Sequence, residues 1–108
     1  MMTVKEILDG KGRQVWTIAP GAKVLDALKV MADKQVGALV VLDGDRVVGV
    51  LSERDYARKV VLEGKTSKDT PVREIMTSPV YGVRPETTAE ECMGLMTGKH
   101  IRHLPVYE

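Results

Sequence analysis

The stretch Gly49–Asp55, which reads Gly-Val-Leu-Ser-Glu-Arg-Asp, places a hydroxyl, a guanidinium and a carboxylate within four residues. An apolar run read as a strand precedes Ser52, and the inward-facing residues that follow it, such as Tyr56 and Val60, indicate that Ser52 opens a helix. A helix start offers free backbone N–H groups and the positive end of the helix dipole, and both favour phosphate. Arg54 adds a fork of donors that matches phosphate oxygens, whereas the Asp55 carboxylate is suited to accept hydrogen bonds from a ribose diol. Together these groups suit a nucleoside phosphate better than free phosphate.

Ser52 and Asp55 also have an ordinary structural explanation. A Ser followed three residues later by an acidic residue, at the start of an apolar helix, is close to a capping box. Taken alone, this motif is more often a helix cap than a ligand site. The sequence leaves both interpretations open.

Other reactive side chains do not form a recognisable catalytic or metal site. His100 and His103 are three residues apart where a helix gives way to a strand, and no carboxylate or Cys joins them at ligand spacing. Cys92 lies in an apolar helical pattern, which predicts a buried thiol. Glu90 and Glu91 are expected on a solvated helix face, and no nucleophile elbow is present. We predict no catalytic residue and no metal site.

The elements that would position Ser52–Asp55 are legible in the first half of the chain. Apolar spacing from Val24 to Ala32 predicts a helix of about three turns, and the unbroken β-branched run after Gly37 predicts a buried strand. The predicted order is strand 16–18, helix 24–32, strand 38–42, a hairpin turn at 43–45, strand 47–51, and a helix from Ser52 with Tyr56, Val60, Ala57 and Val61 facing inward. The polar stretch Glu63–Thr70 before Pro71 predicts a linker.

The chain contains an internal repeat. Stepping forward 65 residues maps Trp16–Pro20 onto Tyr81–Pro85, and the apolar character agrees along the following helix and strand. A short lead-in, Val4–Leu8, matches Val72–Met76 at an offset of 68, so the first copy holds three extra residues, expected in a loop around Gly10–Gly12. We predict two tandem copies of one β-α-β unit, at residues 1–70 and 71–108.

The second copy ends after its predicted strand His103–Tyr107, before any counterpart of the hairpin partner and the second helix. A lone strand leaves unpaired backbone groups at a sheet edge. We therefore expect either a chain that continues beyond Glu108 or a strand supplied by another subunit, and we favour the first.

Composition limits the classes of partner. The chain has 108 residues, 16 basic and 15 acidic, with a net charge of +1, so no electrostatic attraction toward nucleic acid or an anionic membrane is expected. One cysteine makes no intramolecular disulfide, and the N-terminus has no apolar signal region. These features predict a cytoplasmic location.

The order of elements, the tandem repeat and the Gly-Val-Leu-Ser-Glu-Arg-Asp ending resemble the cystathionine-β-synthase (CBS) domain family, whose tandem pairs are called Bateman modules. The resemblance covers nearly the whole chain. Its most specific parts are Gly49–Tyr56, His103–Val106 and the lead-in Val72–Thr77. The chain looks like the small stand-alone bacterial proteins that consist of one CBS pair.

The resemblance implies an α/β fold in which two β-α-β-β-α units pack about a pseudo-twofold axis, with clefts for an adenosine-containing ligand such as AMP, ATP, NAD(H) or S-adenosylmethionine. It implies that Asp55 holds the ribose and that Ser52 and Arg54 hold the phosphate. The other residues that it implies at the ligand are Thr17, Ile18, Ala19, Gly37, Ala38, Leu39, Arg102, His103 and Pro105. Since the second copy lacks this motif, we expect one competent cleft per chain.

The resemblance therefore implies a non-enzymatic sensor that requires no cofactor, takes an adenine nucleotide as its regulatory ligand, forms a homodimer and acts on an effector protein that the sequence does not identify. Two other hypotheses stay open. The chain could be a ligand-free structural module, in which Ser52 and Asp55 only cap a helix. A small enzyme is the third, and the absence of an activated nucleophile or acid–base pair disfavours it.

Overall fold

The computed structural model describes residues 1–107. Its elements, in chain order, are α1 (Val4–Lys11), β1 (Thr17–Ile18), α2 (Val24–Lys34), β2 (Ala38–Asp43), β3 (Arg46–Ser52), α3 (Glu53–Tyr56) and α4 (Ala89–Lys99). A π-helical turn over Ala57–Val61 continues α3, and Val72–Glu74 forms a 3-10 turn. The chain forms two compact units, Val15–Val80 and a second unit made of Met1–Gln14 with the chain from Tyr81 onward. The predicted mixed α/β class is confirmed.

The sheet of the unit Val15–Val80 has the strand order β1-β2-β3. β1 pairs with β2 in parallel, and β2 pairs with β3 as an antiparallel hairpin. Gly44 turns the hairpin with φ 63°, a left-handed conformation that glycine adopts without steric cost. The register sets Ala38 opposite Ser52, so the end of β3 lies beside the start of β2.

The core of this unit lies between α2, the hairpin and the segment that follows α3. α2 buries Val24, Ala27 and Met31 at helical spacing, as its sequence predicts. The remaining members of the core cluster are Leu39, Val41, Leu51, Val60, Val72 and Ile75.

The prediction that Ala57 and Val61 face inward is wrong, since both are exposed. The physical reason is the π-helical turn, in which the amide of Leu62 bonds to the carbonyl of Ala57, five residues earlier. The wider turn keeps Val60 in the core, with Tyr56 packed against it, and rotates their neighbours toward solvent.

The other unit contains α1 and α4. The part of the second repeat copy that lies in this unit has fewer strand residues than predicted. The predicted strand His103–Tyr107 is wrong except at Val106, which forms a single parallel bridge with Val83. Pro105 has no N–H to donate, which shortens the ladder. Its carbonyl accepts from the amide of Val83 at 2.9 Å, and the amide of Tyr107 donates to the carbonyl of Val83 at 2.8 Å.

The two lead-ins make matching backbone hydrogen bonds. Each binds the loop before the first helix of the opposite copy, so the lead-in of one copy lies in the compact unit of the other. The bonds run from Val72 N to Ala22 O (2.8 Å) and Arg73 N to Pro20 O (2.9 Å) in one unit, and from Val4 N to Thr87 O (2.8 Å) and Lys5 N to Pro85 O (2.8 Å) in the other. These pairs obey the offsets of 68 and 65, and the predicted tandem repeat is confirmed.

The three extra residues of the first lead-in lengthen its helix, so the predicted loop around Gly10 is wrong. α1 continues through Gly10 and Lys11 and ends at Gly12, whose φ of 105° is accessible to glycine. No helix within residues 1–107 is both long enough and apolar enough to cross a membrane.

Candidate functional site

The predicted ligand residues Gly37, Ala38 and Ser52 lie together at the open end of the hairpin, where β2 begins and β3 ends. Ala38 lies opposite Ser52 in the β2–β3 register, and the amide of Glu53 donates to the carbonyl of Gly37 at 3.0 Å. We call Gly37, Ala38 and Ser52–Asp55 the Ser52 edge. The hairpin and the first turn of α3 therefore position every one of these residues.

Ser52 and Asp55 form a complete capping box. The amide of Asp55 donates to Ser52 Oγ at 3.2 Å, and the amide of Ser52 donates back to Asp55 Oδ2 at 2.9 Å. The Ser52 hydroxyl also donates to the same Oδ2 at 3.0 Å. The cap interpretation of the motif is confirmed, and a ligand role for these two residues stays a prediction.

The expectation of free backbone amides at this helix start is wrong for Glu53 and Asp55. The first amide is bonded to the carbonyl of Gly37, and the second is bonded to Ser52 Oγ. The reason is that the hairpin register and the cap both satisfy groups that an isolated helix start leaves open. A phosphate at this edge would therefore depend on side chains more than on backbone donors.

The Asp55 carboxylate has two further partners that the sequence interpretation missed. Its Oδ1 accepts a hydrogen bond from Thr77 Oγ1 at 3.0 Å and lies 3.2 Å from Lys59 Nζ. Lys59 is four residues along the helix, a spacing from which an ion pair is predictable. Thr77 is distant in sequence, and no pattern in the chain indicates that it reaches Asp55.

Charged side chains at and beside the Ser52 edge balance in sign. Glu53 and Asp55 contribute two negative charges, and Arg54 and Lys59 contribute two positive charges. Arg54 is exposed, and its guanidinium has no hydrogen bond or ion pair with any residue in 1–107. A Cβ on Gly37 would lie 3.4 Å from Glu53 Oε1, so a side chain there would crowd the edge.

The predicted residues of β1 lie further along the sheet. Thr17 pairs with Val40 and Ile18 with Val41, so Ala19 continues away from the Ser52 edge. At the rise of an extended strand, the neighbourhood of Ala19 is about 13 Å along β2 from Ala38. Ile18 packs against the core and the side chain of Leu39 is buried within it, whereas Thr17 and Ala19 are exposed.

Arg102, His103 and Pro105 belong to the unit formed by Met1–Gln14 and the chain from Tyr81 onward. Arg102 and His103 are exposed just after α4, and Pro105 is partly buried beside Val83. Their roles toward a ligand stay predictions.

A groove of about 650 Å³ opens beside the Ser52 edge, between α2 and α3. Gly37 and Glu53 form one end, and the remaining wall is mainly apolar, with Leu28, Met31 and Tyr56. Ser52, Arg54 and Asp55 are not part of its lining. Gly37 and Glu53 are therefore shared between the groove and the Ser52 edge.

Cys92 and the acidic residues offer no metal site within residues 1–107, where no cluster of three or more His, Cys, Asp or Glu is placed to hold an ion.

Cys92 is only partly buried, contrary to the predicted core position, because no side chain of α4 is fully covered. Partial burial raises the pKa of its thiol, and the charge of Glu91 raises that pKa further. The thiol is thus protonated and weakly reactive at neutral pH.

Comparison with known proteins gives one family. The family model described as CBS domain matches residues 4–62 and 72–108. Among curated relatives, the mitochondrial CBS domain-containing protein CBSX3 of Arabidopsis thaliana is 38% identical over 114 residues, covering 96% of this chain and 55% of the relative. CBS domain-containing protein YhcV of Bacillus subtilis is 29% identical over 105 residues, with 97% and 74% coverage. The chain therefore spans about half the length of the first of these relatives.

Solved structures agree with the fold. A protein with CBS domains from Burkholderia ambifaria MC40-6 superposes with a TM-score of 0.93 at 49% identity, covering 99% of this chain and 81% of that one. A hexameric CBS-CP12 protein from bloom-forming cyanobacteria superposes with a TM-score of 0.89 at 32% identity, covering 100% of this chain and 62% of that one.

Proposed function

Because the chain belongs to the CBS domain family, we propose that it is a regulatory module that binds an adenosine-containing nucleotide at the Ser52 edge. Proteins of this family are generally regulatory rather than catalytic, and they often bind nucleotides. The proposed ligand class is AMP, ATP, NAD(H) or a related adenosine compound. The proposed role is that of a sensor without catalytic activity.

The observation that carries this proposal is that a cation, Arg54, and a carboxylate, Asp55, are adjacent in the chain. Arg54 is an exposed cation with no intramolecular partner in the described chain, next to a carboxylate that is 8% exposed and accepts three hydrogen bonds. An unpaired guanidinium matches the oxygens of a phosphate. A carboxylate held beside it can accept from a sugar diol, so two adjacent residues supply the two polarities that a nucleoside phosphate requires.

A ligand-free structural module is the second candidate, and the same carboxylate favours it. Asp55 already accepts three hydrogen bonds from its own chain, from Ser52 N, Ser52 Oγ and Thr77 Oγ1, and forms an ion pair with Lys59 Nζ. On this view the capping box and the link to Thr77 stabilise the unit and nothing else binds. The two candidates differ in whether Arg54 affects ligand binding.

The test is thermal melting with millimolar AMP, ATP, NAD, NADH and S-adenosylmethionine. A compound present at about 100 times its dissociation constant stabilises the folded protein by about 2.7 kcal/mol, which corresponds to a rise of roughly 10 °C in Tm for a domain of this size. Arg54→Ala is expected to weaken binding by about 1–3 kcal/mol, because it removes a charged hydrogen bond without breaking an internal contact.

Arg58→Ala is the matched control, because Arg58 is exposed on the same helical segment and its loss changes the net charge equally. It is expected to bind like the wild type. No rise in Tm with any compound, or equal weakening in both variants, would contradict the proposed site and favour the structural module.

We also propose that the chain forms a homodimer, that it acts on an effector protein that is not identified, and that it is located in the cytoplasm. The CBS-CP12 relative is hexameric, and this supports the proposal that this chain also self-associates. Light scattering after size exclusion, with and without the bound compound, measures the assembly directly.

A further inference from the structure

The segment Val72–Thr77, which follows the inter-repeat linker, is bound tightly into the unit Val15–Val80. The side chains of Val72 and Ile75 are fully buried in its core. Thr77 pairs with Val50 at the edge of β3 through two backbone hydrogen bonds, of 2.8 and 3.1 Å. The segment is the lead-in of the second copy of the repeat, and the chain continues from it into the rest of that copy.

The Asp55 carboxylate divides its two oxygens between the helix and this segment. Oδ2 accepts only from Ser52, through its amide and its hydroxyl. Oδ1 accepts from Thr77 Oγ1 at 3.0 Å and is 3.2 Å from Lys59 Nζ. Lys59 Nζ also donates to the carbonyl of Ile75 at 3.1 Å. One partner of Oδ1, Thr77, therefore belongs to the segment Val72–Thr77, and the other, Lys59, contacts it.

A carboxylate offers about four lone-pair positions, and that of Asp55 is surrounded by three hydrogen-bond donors and the ammonium group of Lys59. A sugar diol that donates to this carboxylate competes with these groups for it. The amide of Ser52 is fixed by the backbone, its hydroxyl caps the helix, and Lys59 is anchored by the carbonyl of Ile75. Within residues 1–107 the Thr77 hydroxyl bonds only to Oδ1, and it can rotate about χ1, so it is the exchangeable donor.

We propose that Thr77 couples the nucleotide site to the segment Val72–Thr77 by competing with the ligand for Asp55 Oδ1. The proposal rests on the proposed function and adds its regulation. When a ribose hydroxyl takes Oδ1, Thr77 loses its side-chain bond, and the segment is held by its backbone pairing, its buried side chains and the hydrogen bond from Lys59 Nζ to the Ile75 carbonyl. Occupancy of the site is thereby transmitted to the lead-in of the second copy.

The test compares Thr77→Val, which keeps the branched shape and removes the hydroxyl, with Thr77→Ser, which keeps the hydroxyl. Both are titrated by calorimetry with AMP, ATP, NAD, NADH and S-adenosylmethionine. Thr77→Val is expected to bind about 3- to 10-fold more tightly than wild type, because the ligand no longer displaces a hydrogen bond. Thr77→Ser is expected to bind like the wild type.

A second measurement follows amide hydrogen exchange at residues 72–77 in the wild type and both variants. Ligand is expected to speed exchange of the Thr77 amide in the wild type and in Thr77→Ser. In Thr77→Val that amide is expected to exchange faster before any ligand is added and to change little afterwards. A merely structural role for Thr77 would not produce this dependence on ligand.

Two kinds of failure are distinguishable. If a compound binds, Arg54→Ala weakens it and Thr77→Val matches Thr77→Ser in affinity and exchange, the coupling is overturned and the proposed function stands. If no compound binds the wild type or any variant, the proposed function fails and the coupling fails with it.

Discussion

A single carboxylate joins two parts of the unit Val15–Val80. Asp55 is 8% exposed, and a buried carboxylate is tolerated only when donors replace the water that it has lost. Ser52 supplies donors from the start of α3, while Thr77 and Lys59 supply them beside the segment that follows. The cost of burying this charge is therefore offset by contacts that fix both the helix start and the segment.

Ser52→Ala tests the helix half of this arrangement. The change removes the cap of the Asp55 amide and one donor to Oδ2, so we expect a loss of about 0.5–2 kcal/mol in the free energy of unfolding. Urea denaturation followed by circular dichroism measures it. Ser78→Ala, at an exposed position, is the control and should change stability by less than about 0.5 kcal/mol. Equal stability of the two variants would mean that the cap contributes nothing.

The sequence predicts the Ser52–Asp55 pair because a capping box is local and its spacing is fixed by the geometry of one helical turn. It does not predict Thr77, because that contact depends on how a distant segment pairs with the edge of β3. The same distinction applies to Arg54, whose lack of an internal partner is visible only once the fold is known.

Helix ends show how closely the two copies of the repeat correspond. Gln35 after α2 and His100 after α4 both adopt φ 55°, and they are 65 residues apart. Lys34 lies 4.5 Å from the ring centroid of Trp16, and Lys99 lies 5.0 Å from that of Tyr81. A cation over an aromatic ring is therefore present in each copy, where the last turn of the helix meets the chain before the first strand.

Gly49 in β3 is required by a close approach of the segment Val72–Thr77. A Cβ at this position would lie 2.6 Å from Met76 Sδ and 3.2 Å from Met76 Cβ. We expect Gly49→Ala to destabilise the unit by about 1–3 kcal/mol, since a packed strand cannot absorb the added methyl without displacing Met76. Urea denaturation measures the loss.

Two further variants make this prediction specific. Met76→Ala in the Gly49→Ala background should recover part of the loss, and Gly94→Ala on α4, where a Cβ meets nothing within 4 Å, should leave stability unchanged or raise it. Additive effects of Gly49→Ala and Met76→Ala would contradict the proposed clash.

At the level of elements, the sequence predicts the hairpin, α2 and the repeat because apolar periodicity and turn residues encode them directly. It does not predict the π-helical turn at Ala57–Val61, since a helix with one extra residue per turn has the same apolar composition as a regular one. The consequence is visible in Val61, which is 55% exposed.

The two compact units differ in how completely they are packed. The unit Val15–Val80 holds a cluster of nine buried apolar residues, six of them fully covered. In the described part of the other unit, Val4 and Val83 are the only apolar residues that are buried. No side chain of α4 is buried, and Met93 on that helix is 65% exposed. Burial of apolar area dominates stability, so the second unit is expected to open at a lower free energy.

Native-state amide hydrogen exchange measures this difference directly, because each amide reports the free energy of the opening that exposes it. We expect the amides of Leu39, Val41 and Leu51 to be protected at least about 10-fold more strongly than those of Cys92 and Met96, which corresponds to about 1.4 kcal/mol. All of these amides lie within strands or helices, so local fraying at the ends of loops does not affect the comparison of the two units. Equal protection would mean that the two units unfold together in one cooperative step.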